Sequence, residues 1–326
     1  MNWNGPVLDF EKPLYDLEKR MEEMRTQAVT ENVAALTREI KRMERELDRI
    51  QKKIYSQLTR WQRVQMARHP LRPHTSDYLQ GMMTDFVELR GDRAFGDDRA
   101  MVTGLAKLDG LPLAVVGHQK GVNTKENILR NFGMAGPEGY RKAGRVMRLA
   151  EKFGFPVLCL IDTPGAYPGA GAEERGQAEA IARNMYDMGR LRTQILVVVI
   201  GEGASGGALG VGVGDRILMM ENAWYSTISP EACSTILWKD QEKAAARKTE
   251  CAEALRVGAV DLYEFGIVDE IIPEPLGGAH RNPEPAIMAV KKAVSDSLMA
   301  LRQIPIEDLI EARLDKYSSI GVYAGE

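Results

Sequence analysis

The sequence predicts an α/β fold in which helices cover both faces of the sheet. Three runs are rich in β-branched and apolar residues, as is typical of strands buried on both faces: Val157–Asp162, Gln194–Ile200 and Ile217–Met220. A helical pattern over Glu173–Met188 separates the first two runs. Strands that alternate with helices in this way favour a layered α/β architecture.

The segment before the first of these strands contains a hairpin and a helix. The stretch "MVTGLAKLDGLPLAVVGHQ" is two apolar strands joined by Asp109-Gly110, a dipeptide typical of tight hairpin turns. The stretch "GPEGYRKAGRVMRLAEKFG" is predicted to be helical, with Pro137 in its first turn and Gly154 just past its end. After the strands we expect further helices, a short strand near Ile267–Ile272 and two C-terminal helices.

Residues 1–75 are predicted to form a helical hairpin and a linker, and residues 76–326 the main domain with its C-terminal helices. Apolar residues at spacings of three and four form a heptad seam in the second helix of the hairpin; they are Val33, Leu36, Ile40, Met43, Leu47, Ile50, Ile54 and Leu58. The first helix repeats the pattern from Leu14 to Ala28, and Thr30–Asn32 interrupts it. We expect the two helices to bury these seams against each other or against the main body.

Composition excludes several classes of protein. The 326 residues are 44% hydrophobic and 27% charged, as in soluble globular proteins, and no apolar run is long enough to span a membrane. The three cysteines are isolated, which favours a reducing cytoplasm and argues against a metal site on this chain. A net charge of −3 makes nucleic acid an unlikely partner. The tract from Arg49 to Ser76 contains seven Lys or Arg and no Asp or Glu, and is either a solvated helix face or a docking surface for an acidic partner or a ligand phosphate.

The loop that follows Val157–Asp162 raises the question of a nucleotide site. It begins "DTPG", which GTPases also present after a buried strand, but the chain has no Gly-Lys dipeptide and therefore no phosphate-binding loop. A dinucleotide site is a second alternative, because "GEGASG" (Gly201–Gly206) matches GxGxxG. Gly212 and Gly214 leave room for only a short helix after it, and several strands precede it, which weakens this alternative.

In a third interpretation the glycines expose backbone amides to a developing negative charge. Gly206 and Gly207 lie at a strand-to-helix transition, where free amides and the helix dipole favour an anion. The loop over Thr163–Gly171 leaves the end of the preceding strand. If the two strands are neighbours in the sheet, both loops border one pocket, which would then be an oxyanion hole without a protein nucleophile.

Several long motifs then carry a resemblance across nearly the whole chain. In order, "GHQKG", "NFGMAGPEGYRKA", "IDTPGAYPGAGAEERGQAEAIARN", "VIGEGASGGALGVGVGD", "STISPEACSTILWKD" and "IIPEPLGGAHRNPE" resemble the carboxyltransferase alpha subunits of bacterial acetyl-CoA carboxylase. The resemblance implies a crotonase-like (ClpP/crotonase) spiral of ββα repeats that carries an N-terminal helical hairpin. It also implies transfer of a carboxyl group from N-carboxybiotin to acetyl-CoA, which yields malonyl-CoA for fatty acid biosynthesis.

The resemblance assigns site residues as well. It implies that Gly206 and Gly207 are catalytic and hold the ureido oxygen of biotin, and that no metal binds this chain. The other residues it assigns to the carboxybiotin side are Thr163, Pro164, Gly165, Ala166, Tyr167, Pro168, Gly169, Gly203, Ala204 and Ser205. Tyr167 is either a wall for the biotin ring or loop packing. His118 is expected to cap the end of a strand. Lys120, in "GHQKG", is expected either to lie on a solvated face or to contact a ligand anion.

The partners follow from the same resemblance. They are a carboxyltransferase beta subunit with a zinc ribbon, the biotin carboxyl carrier protein and biotin carboxylase, around an α2β2 core in the cytoplasm. No Met-Lys-Met motif occurs, so the biotin must be carried on a separate protein. Two alternatives remain: an acyl-CoA hydratase or isomerase of the same fold, and a scaffold of that fold without activity. The sequence offers no function for the loop "LGGAHR" (Leu276–Arg281).

Overall fold

The computed structural model describes residues 5–31 and 34–321, apart from the side chains of residues 28–37. The described residues form one eight-stranded sheet with helices around it. The strands are β1 (Thr84–Glu88), β2 (Met101–Leu108), β3 (Leu111–His118), β4 (Val157–Thr163), β5 (Ile195–Ala204), β6 (Arg216–Met220), β7 (Trp224–Ser226) and β8 (Glu270–Ile272).

The helices lie before, between and after these strands. They are α1 (Lys12–Glu31), α2 (Ala34–Ser56), α3 (Arg60–Ala67), α4 (Thr75–Met82), α5 (Thr124–Leu129), α6 (Pro137–Phe153), α7 (Ala170–Glu174), α8 (Gln177–Arg190), α9 (Ser205–Leu209), α10 (Pro230–Leu237), α11 (Gln241–Leu255), α12 (Ala259–Glu264), α13 (Pro283–Leu301) and α14 (Ile306–Ser319). None of the helices in the described part of the chain is both long and apolar enough to span a membrane.

The sheet is antiparallel at one side and parallel elsewhere. Its strands lie in the order β1-β2-β3-β4-β5-β6-β8, and β7 pairs with β5 beyond the end of β6. The pairs β1–β2 and β2–β3 are antiparallel, whereas β3–β4, β4–β5, β5–β6 and β6–β8 are parallel. Every residue of β4 and β5 is buried. The predicted α/β fold with a sheet covered on both faces is therefore confirmed.

Two local predictions are confirmed by the backbone. Asp109 and Gly110 join β2 to β3 with φ of +48° and +85°, the left-handed pair that a two-residue type I′ hairpin requires. Helix α6 begins at Pro137, and Gly154 ends it with φ of +67°. Both features depend on a few adjacent residues, which is why the sequence predicts them well.

Two other predictions are corrected. The helix expected over Glu173–Met188 is two helices, α7 and α8, because Gly176 breaks the chain direction with φ of +84°. Strand β5 continues through Gly201–Ala204, where it pairs with β7. The first glycines of "GEGASG" thus lie within a strand, not in the turn that a dinucleotide-binding fingerprint requires, and that alternative is wrong.

The N-terminal helices form the expected hairpin, in which α1 packs along α2. The seam residues from Ile40 to Leu58 are half-buried, while Leu14 and Tyr55 are buried in a small cluster with Met66 of α3. The seam thus packs within the hairpin and, at the C-terminal end of α2, also against α3. Val33, Leu36, Ala28 and the interruption at Asn32 lie outside the described residues or side chains.

The loop Leu276–Arg281 anchors this hairpin. Glu11 is fully buried, and its carboxylate lies 3.1 Å from His280 Nε2 and also accepts the Tyr55 hydroxyl. Burial alone would raise the pKa of Glu11, but the hydrogen bonds from His280 and Tyr55 outweigh it and lower that pKa to about 2. Arg281 donates to Glu18 of α1 at 2.8 Å. The loop therefore has a structural role.

The basic tract divides between solvent and the main body. Arg49 and Lys52 on α2 are exposed. Arg60, by contrast, pairs with Asp261 at 2.5 Å, and the buried Arg72 pairs with Glu274 at 2.6 Å. Much of the positive charge thus connects residues 60–72 to the main body. The predicted domain boundary between residues 75 and 76 stays a prediction.

Candidate functional site

The glycine loops meet at one edge of the sheet. Strands β4 and β5 are parallel neighbours, paired from Val157↔Ile195 to Thr163↔Gly203, so the segments that follow them emerge side by side. We name these segments the 163–169 loop and the 203–207 turn. A Cβ atom placed on Gly207 would lie 2.4 Å from the carbonyl carbon of Gly165 and 2.5 Å from Ala166 N. The two loops are in direct contact, as expected for segments that follow neighbouring parallel strands, and that they border one pocket stays a prediction.

The 163–169 loop is held in shape by short hydrogen bonds. The buried Thr163 hydroxyl donates to Gly165 O at 2.7 Å and accepts the Gly165 N–H at 3.1 Å. Gly165 has φ of +147°, a conformation that side-chain-bearing residues rarely adopt. Further along, Tyr167 N–H donates to Ala135 O at 3.0 Å, and Gln177 Nε2 donates to Tyr167 O at 3.0 Å. Hydrogen bonds therefore hold both halves of the loop in place.

The rest of this loop forms a rim. Pro164 and Ala166 are half-buried, whereas the Tyr167 ring is 37% exposed and Pro168 is exposed as well. Gly169 precedes α7, and a Cβ there would lie 2.5 Å from the Tyr167 ring. Tyr167 is thus partly packed against its own loop and partly open to solvent.

The 203–207 turn combines buried strand residues with an exposed corner. Gly203 and Ala204 are buried, and a Cβ on Gly203 would lie 2.8 Å from the Tyr225 ring of β7. Ser205 is exposed with φ of +54°, an uncommon conformation for a residue with a side chain. The strained Ser205 turns the chain from β5 directly into α9.

The first amides of α9 point away from their own helix. The N–H groups of Gly206 and Gly207 belong to the first turn, where a helix offers no acceptor, and no side chain of the described residues caps it. A Cβ on Gly206 would touch nothing closer than Ile181 Cδ1 at 3.7 Å. From behind, the buried Tyr140 hydroxyl donates to Gly207 O at 3.1 Å. The turn thus presents amide donors from a rigid support.

An apolar cavity of about 240 Å³ lies beside this turn, with Ser205 at its edge. Its polar lining is small, with Ser226 and Thr227 as further hydroxyl groups. The apolar side chains that line it are Met185, Leu209, Val213, Ile217, Tyr225, Leu262, Ile267, Tyr317 and Ile320. Such a cavity accommodates a ring or alkyl group better than a charged one.

Beneath the loops lies a cluster of buried charges that sequence reasoning missed. Lys120 Nζ donates to Asp162 Oδ1 at 2.6 Å and to Glu202 Oε2 at 2.8 Å. Lys120 therefore does not lie on a solvated face, one of the two alternatives from its sequence context, because two carboxylates of this chain hold its ammonium. Burial would raise the pKa of each carboxyl group, but the Lys120 ammonium outweighs it and holds both well below their usual range. A signal existed: each residue ends or follows one of three successive strands.

His118 ends β3, as expected, and is fully buried. Its ring lies near the backbone of Gly207 and Leu160, and burial lowers the pKa of His118 to about 4. The imidazole is therefore neutral near pH 7. Across residues 5–31 and 34–321, no cluster of three or more His, Cys, Asp or Glu side chains is arranged to hold a metal ion.

The fold places the chain in a structural class. It is similar to the transcarboxylase 12S core, with a TM-score of 0.55 and 18% identity over 78% of this chain and 44% of that chain. It is also similar to a chain of a Pseudomonas malonate decarboxylase hetero-tetramer, with a TM-score of 0.55 and 16% identity over 69% of this chain and 89% of that one. The crotonase-like fold of carboxyltransferases is therefore confirmed.

Sequence comparison narrows the class. Residues 7–321 match the family described as acetyl co-enzyme A carboxylase carboxyltransferase-like. The alpha subunit of acetyl-coenzyme A carboxylase carboxyl transferase from Chlorobium luteolum is 57% identical over 84% of this chain and 83% of its own length. The Flavobacterium johnsoniae alpha subunit is 56% identical over 83% of this chain and 85% of its own length. This chain belongs to that family of carboxyltransferase alpha subunits.

Proposed function

We propose that this chain is the alpha subunit of a cytoplasmic, biotin-dependent carboxyltransferase. It transfers the carboxyl group of N-carboxybiotin, held on a separate carrier protein, to acetyl-CoA and so forms malonyl-CoA for fatty acid biosynthesis. The observation that carries the proposal is the pair of first-turn amides at Gly206 and Gly207, which face the 163–169 loop in a chain of this family.

The donor set fits the ureido group of carboxybiotin. A ureido oxygen needs hydrogen-bond donors, and the Gly206 and Gly207 amides have no acceptor within α9. Glycine at position 206 leaves open space where a planar group can approach the backbone. The apolar cavity beside Ser205 and the half-exposed Tyr167 ring are suitable walls for apolar rings. Carboxybiotin supplies the activated carboxyl group.

In this proposal the residues of this chain stabilise negative charge and do not transfer protons. Negative charge that develops on the ureido oxygen is stabilised by the Gly206 and Gly207 amides together with the dipole of α9. Because the Tyr140 hydroxyl holds the Gly207 carbonyl from behind, little reorganisation of the turn is needed as the charge develops. A donor of this kind typically lowers a barrier by about 3–4 kcal/mol.

The chain is proposed to work with a beta subunit. The chemistry generates an oxyanion on each substrate, and within residues 5–31 and 34–321 we identify one candidate donor pair, the Gly206 and Gly207 amides. We place the second oxyanion hole and most of the acyl-CoA site on a beta subunit with a zinc ribbon, in an α2β2 core served by the biotin carboxyl carrier protein and biotin carboxylase. The hydratase or isomerase alternative has less support, because Asp162 and Glu202 are buried and held by Lys120.

Mixing the subunits tests the proposal. The purified alpha chain should form no malonyl-CoA from carboxybiotin and acetyl-CoA, and activity should appear when the beta chain is added. Hydration of an enoyl-CoA by the same samples is the matched assay for the alternative activity. Malonyl-CoA formation by the alpha chain alone would contradict the division of labour, and an inactive mixture that hydrates enoyl-CoA would contradict the reaction.

A further inference from the structure

The pairing of β4 with β5 is interrupted just before the glycine loops. Ile161 pairs with Val199, and the next pair is Thr163 with Gly203. Between these pairs β4 has Asp162 alone, whereas β5 has Ile200–Glu202. An irregularity of this kind shifts one strand along the other and redirects the chain beyond it. It therefore sets the offset between the 163–169 loop and the 203–207 turn.

Charged side chains fill the gap that the irregularity opens. Asp162 Oδ1 accepts the Glu202 N–H at 3.1 Å, and a Cβ on Gly201 would lie 2.5 Å from the same oxygen. The Ile200 carbonyl accepts from Arg72 Nε at 2.8 Å. The backbone groups that leave the strand ladder thus bond to ionised side chains instead of to the neighbouring strand.

Lys120 is the link between the two strands. Its ammonium bonds to one oxygen of Asp162 and one of Glu202, at 2.6 Å and 2.8 Å. The second oxygens have separate partners: His74 Nδ1 lies 2.7 Å from Asp162 Oδ2, and Arg68 Nε lies 2.5 Å from Glu202 Oε1. Without Lys120 the two carboxylates would keep these outer partners but would face each other with no cation between them.

The charges around the cluster come from several elements. Arg68 is shared with Glu231 of α10, and Arg72 is committed to Glu274. The neutral His118 ring lies within electrostatic reach of both Asp162 and Lys120. None of the charged groups is placed to replace the Lys120 ammonium between the two carboxylates, since each is bonded on the far side or to another carboxylate.

We propose that Lys120 is a positioning residue for carboxyl transfer: it holds Asp162 against Glu202 and thereby sets the offset between the two glycine loops. The proposal rests on the proposed function, because the loops matter only if they bind the reacting group. The proposed role needs no contact with substrate, because Lys120 acts through the backbone at both loop origins. An ångström-scale displacement of such groups is enough to lower turnover by about a hundredfold.

The first experiment compares Lys120→Met with Lys316→Met in the assembled alpha–beta complex. The control is matched, because the Lys120 side chain is 12% exposed and that of Lys316 is 15% exposed in its ion pair with Asp269, at the opposite end of the sheet. Lys120→Met should lower kcat by about tenfold to a hundredfold and leave KM for acetyl-CoA nearly unchanged. Hydrogen–deuterium exchange should rise in peptides covering 163–169 and 203–207 for Lys120→Met only.

The second experiment restores the balance of charge. In Lys120→Met the repulsion between Asp162 and Glu202 is relieved when one carboxylate takes up a proton, so kcat should rise, relative to the wild type, as the pH is lowered. The double variant Lys120→Met/Glu202→Gln removes the repulsion at every pH. It should therefore recover most of the lost turnover and exchange protection, and Lys120→Arg should retain part of both.

These outcomes separate the alternatives. Wild-type kcat and exchange in Lys120→Met would overturn the inference, as would equal losses in Lys316→Met or a double variant worse than Lys120→Met. If Lys120→Met fails to assemble, the double variant decides: a complex that assembles but regains neither kcat nor exchange protection in the two loops would also overturn it. Failure of the proposed function is distinct, because the wild-type complex itself would then form no malonyl-CoA.

Discussion

The two ends of the sheet use the same buried ionic chemistry for different purposes. At the amino end of β5, the buried Arg313 of α14 bonds to Asp215 and to the carbonyl groups of Met188, Leu191 and Thr193. These bonds join α14 to the end of α8 and to the loops that precede β5 and β6. At the carboxyl end of β5, the Lys120 cluster lies at an irregularity in the strand pairing and next to the strained Ser205.

The difference lies in what each ion pair supports. The Arg313 network bonds a helix to the loops that precede two strands. It therefore contributes to the free energy of unfolding of the fold. The Lys120 network links two strands at the point where their pairing is irregular, and so shapes the space above them. Local distortion supported by the surrounding structure is characteristic of functional sites. Substitutions at the two ends should therefore separate stability from turnover.

The largest effect on stability is expected at the amino end. Arg313→Met keeps an apolar stem of similar length but leaves Asp215 and three carbonyl groups without their main donor. Removing one partner of a buried ion pair costs about 3–5 kcal/mol in the free energy of unfolding. Denaturant unfolding should show this loss, while kcat per assembled complex stays at the wild-type value. A large fall in kcat with unchanged stability would break the comparison.

Gly206 and Gly207 offer a sharper test at the carboxyl end. A methyl group at Gly207 would collide with the Gly165–Ala166 backbone at 2.4–2.8 Å, so Gly207→Ala should force the loops apart and lower both stability and turnover. Gly206→Ala places its methyl group in open space, 3.7 Å from Ile181. The free energy of unfolding of this variant should stay within about 1 kcal/mol of the wild-type value, because a Gly–Ala exchange in a helix typically changes it by no more than that.

Turnover then decides the role of the pair. If a planar group lies against the Gly206 amide, Gly206→Ala should lower kcat by about a hundredfold, the typical effect of losing one oxyanion donor. Acetyl-CoA binding, measured by calorimetry on the complex, should not change. Wild-type turnover in a stable Gly206→Ala complex would show that the glycines serve packing alone.

A smaller effect follows from two buried histidines. Burial lowers the pKa of His118, beneath the site, and of His69, near the N-terminal hairpin, from 6.5 to about 4. The unfolded chain therefore binds protons first as the pH falls, so the stability from each neutral ring is complete above about pH 6.5 and is lost between about pH 6.5 and 4. Each ring contributes up to about 3 kcal/mol over this range.

Denaturant unfolding between pH 7.5 and 4.5 measures this loss. His118→Gln has no titrating ring and should show a shallower decline than the wild type, with the contribution of His69 remaining. A pH profile of His118→Gln that matches the wild-type profile would contradict the assignment to His118.

Local sequence was enough for much of the fold. The Asp109-Gly110 hairpin, the limits of α6 and the heptad hairpin each depend on neighbouring residues, and the structure confirms them. The glycine stretch was identified as a strand-to-helix transition for the same reason. The predicted strand before it ends too early, at Ile200, because the extension of β5 to Ala204 depends on pairing with the distant strand β7.

Short-range periodicity, turn chemistry and long matching motifs in the sequence therefore establish most of the helices and strands, the family of the chain and the residue types around the candidate site. Three features depend instead on the three-dimensional fold: Gly207 contacts Gly165, Lys120 lies between Asp162 and Glu202, and Ser205 is strained. These contacts join residues that are between 40 and 82 positions apart in the sequence. They exist because strand order and register bring the ends of β3, β4 and β5 together, which no local pattern encodes.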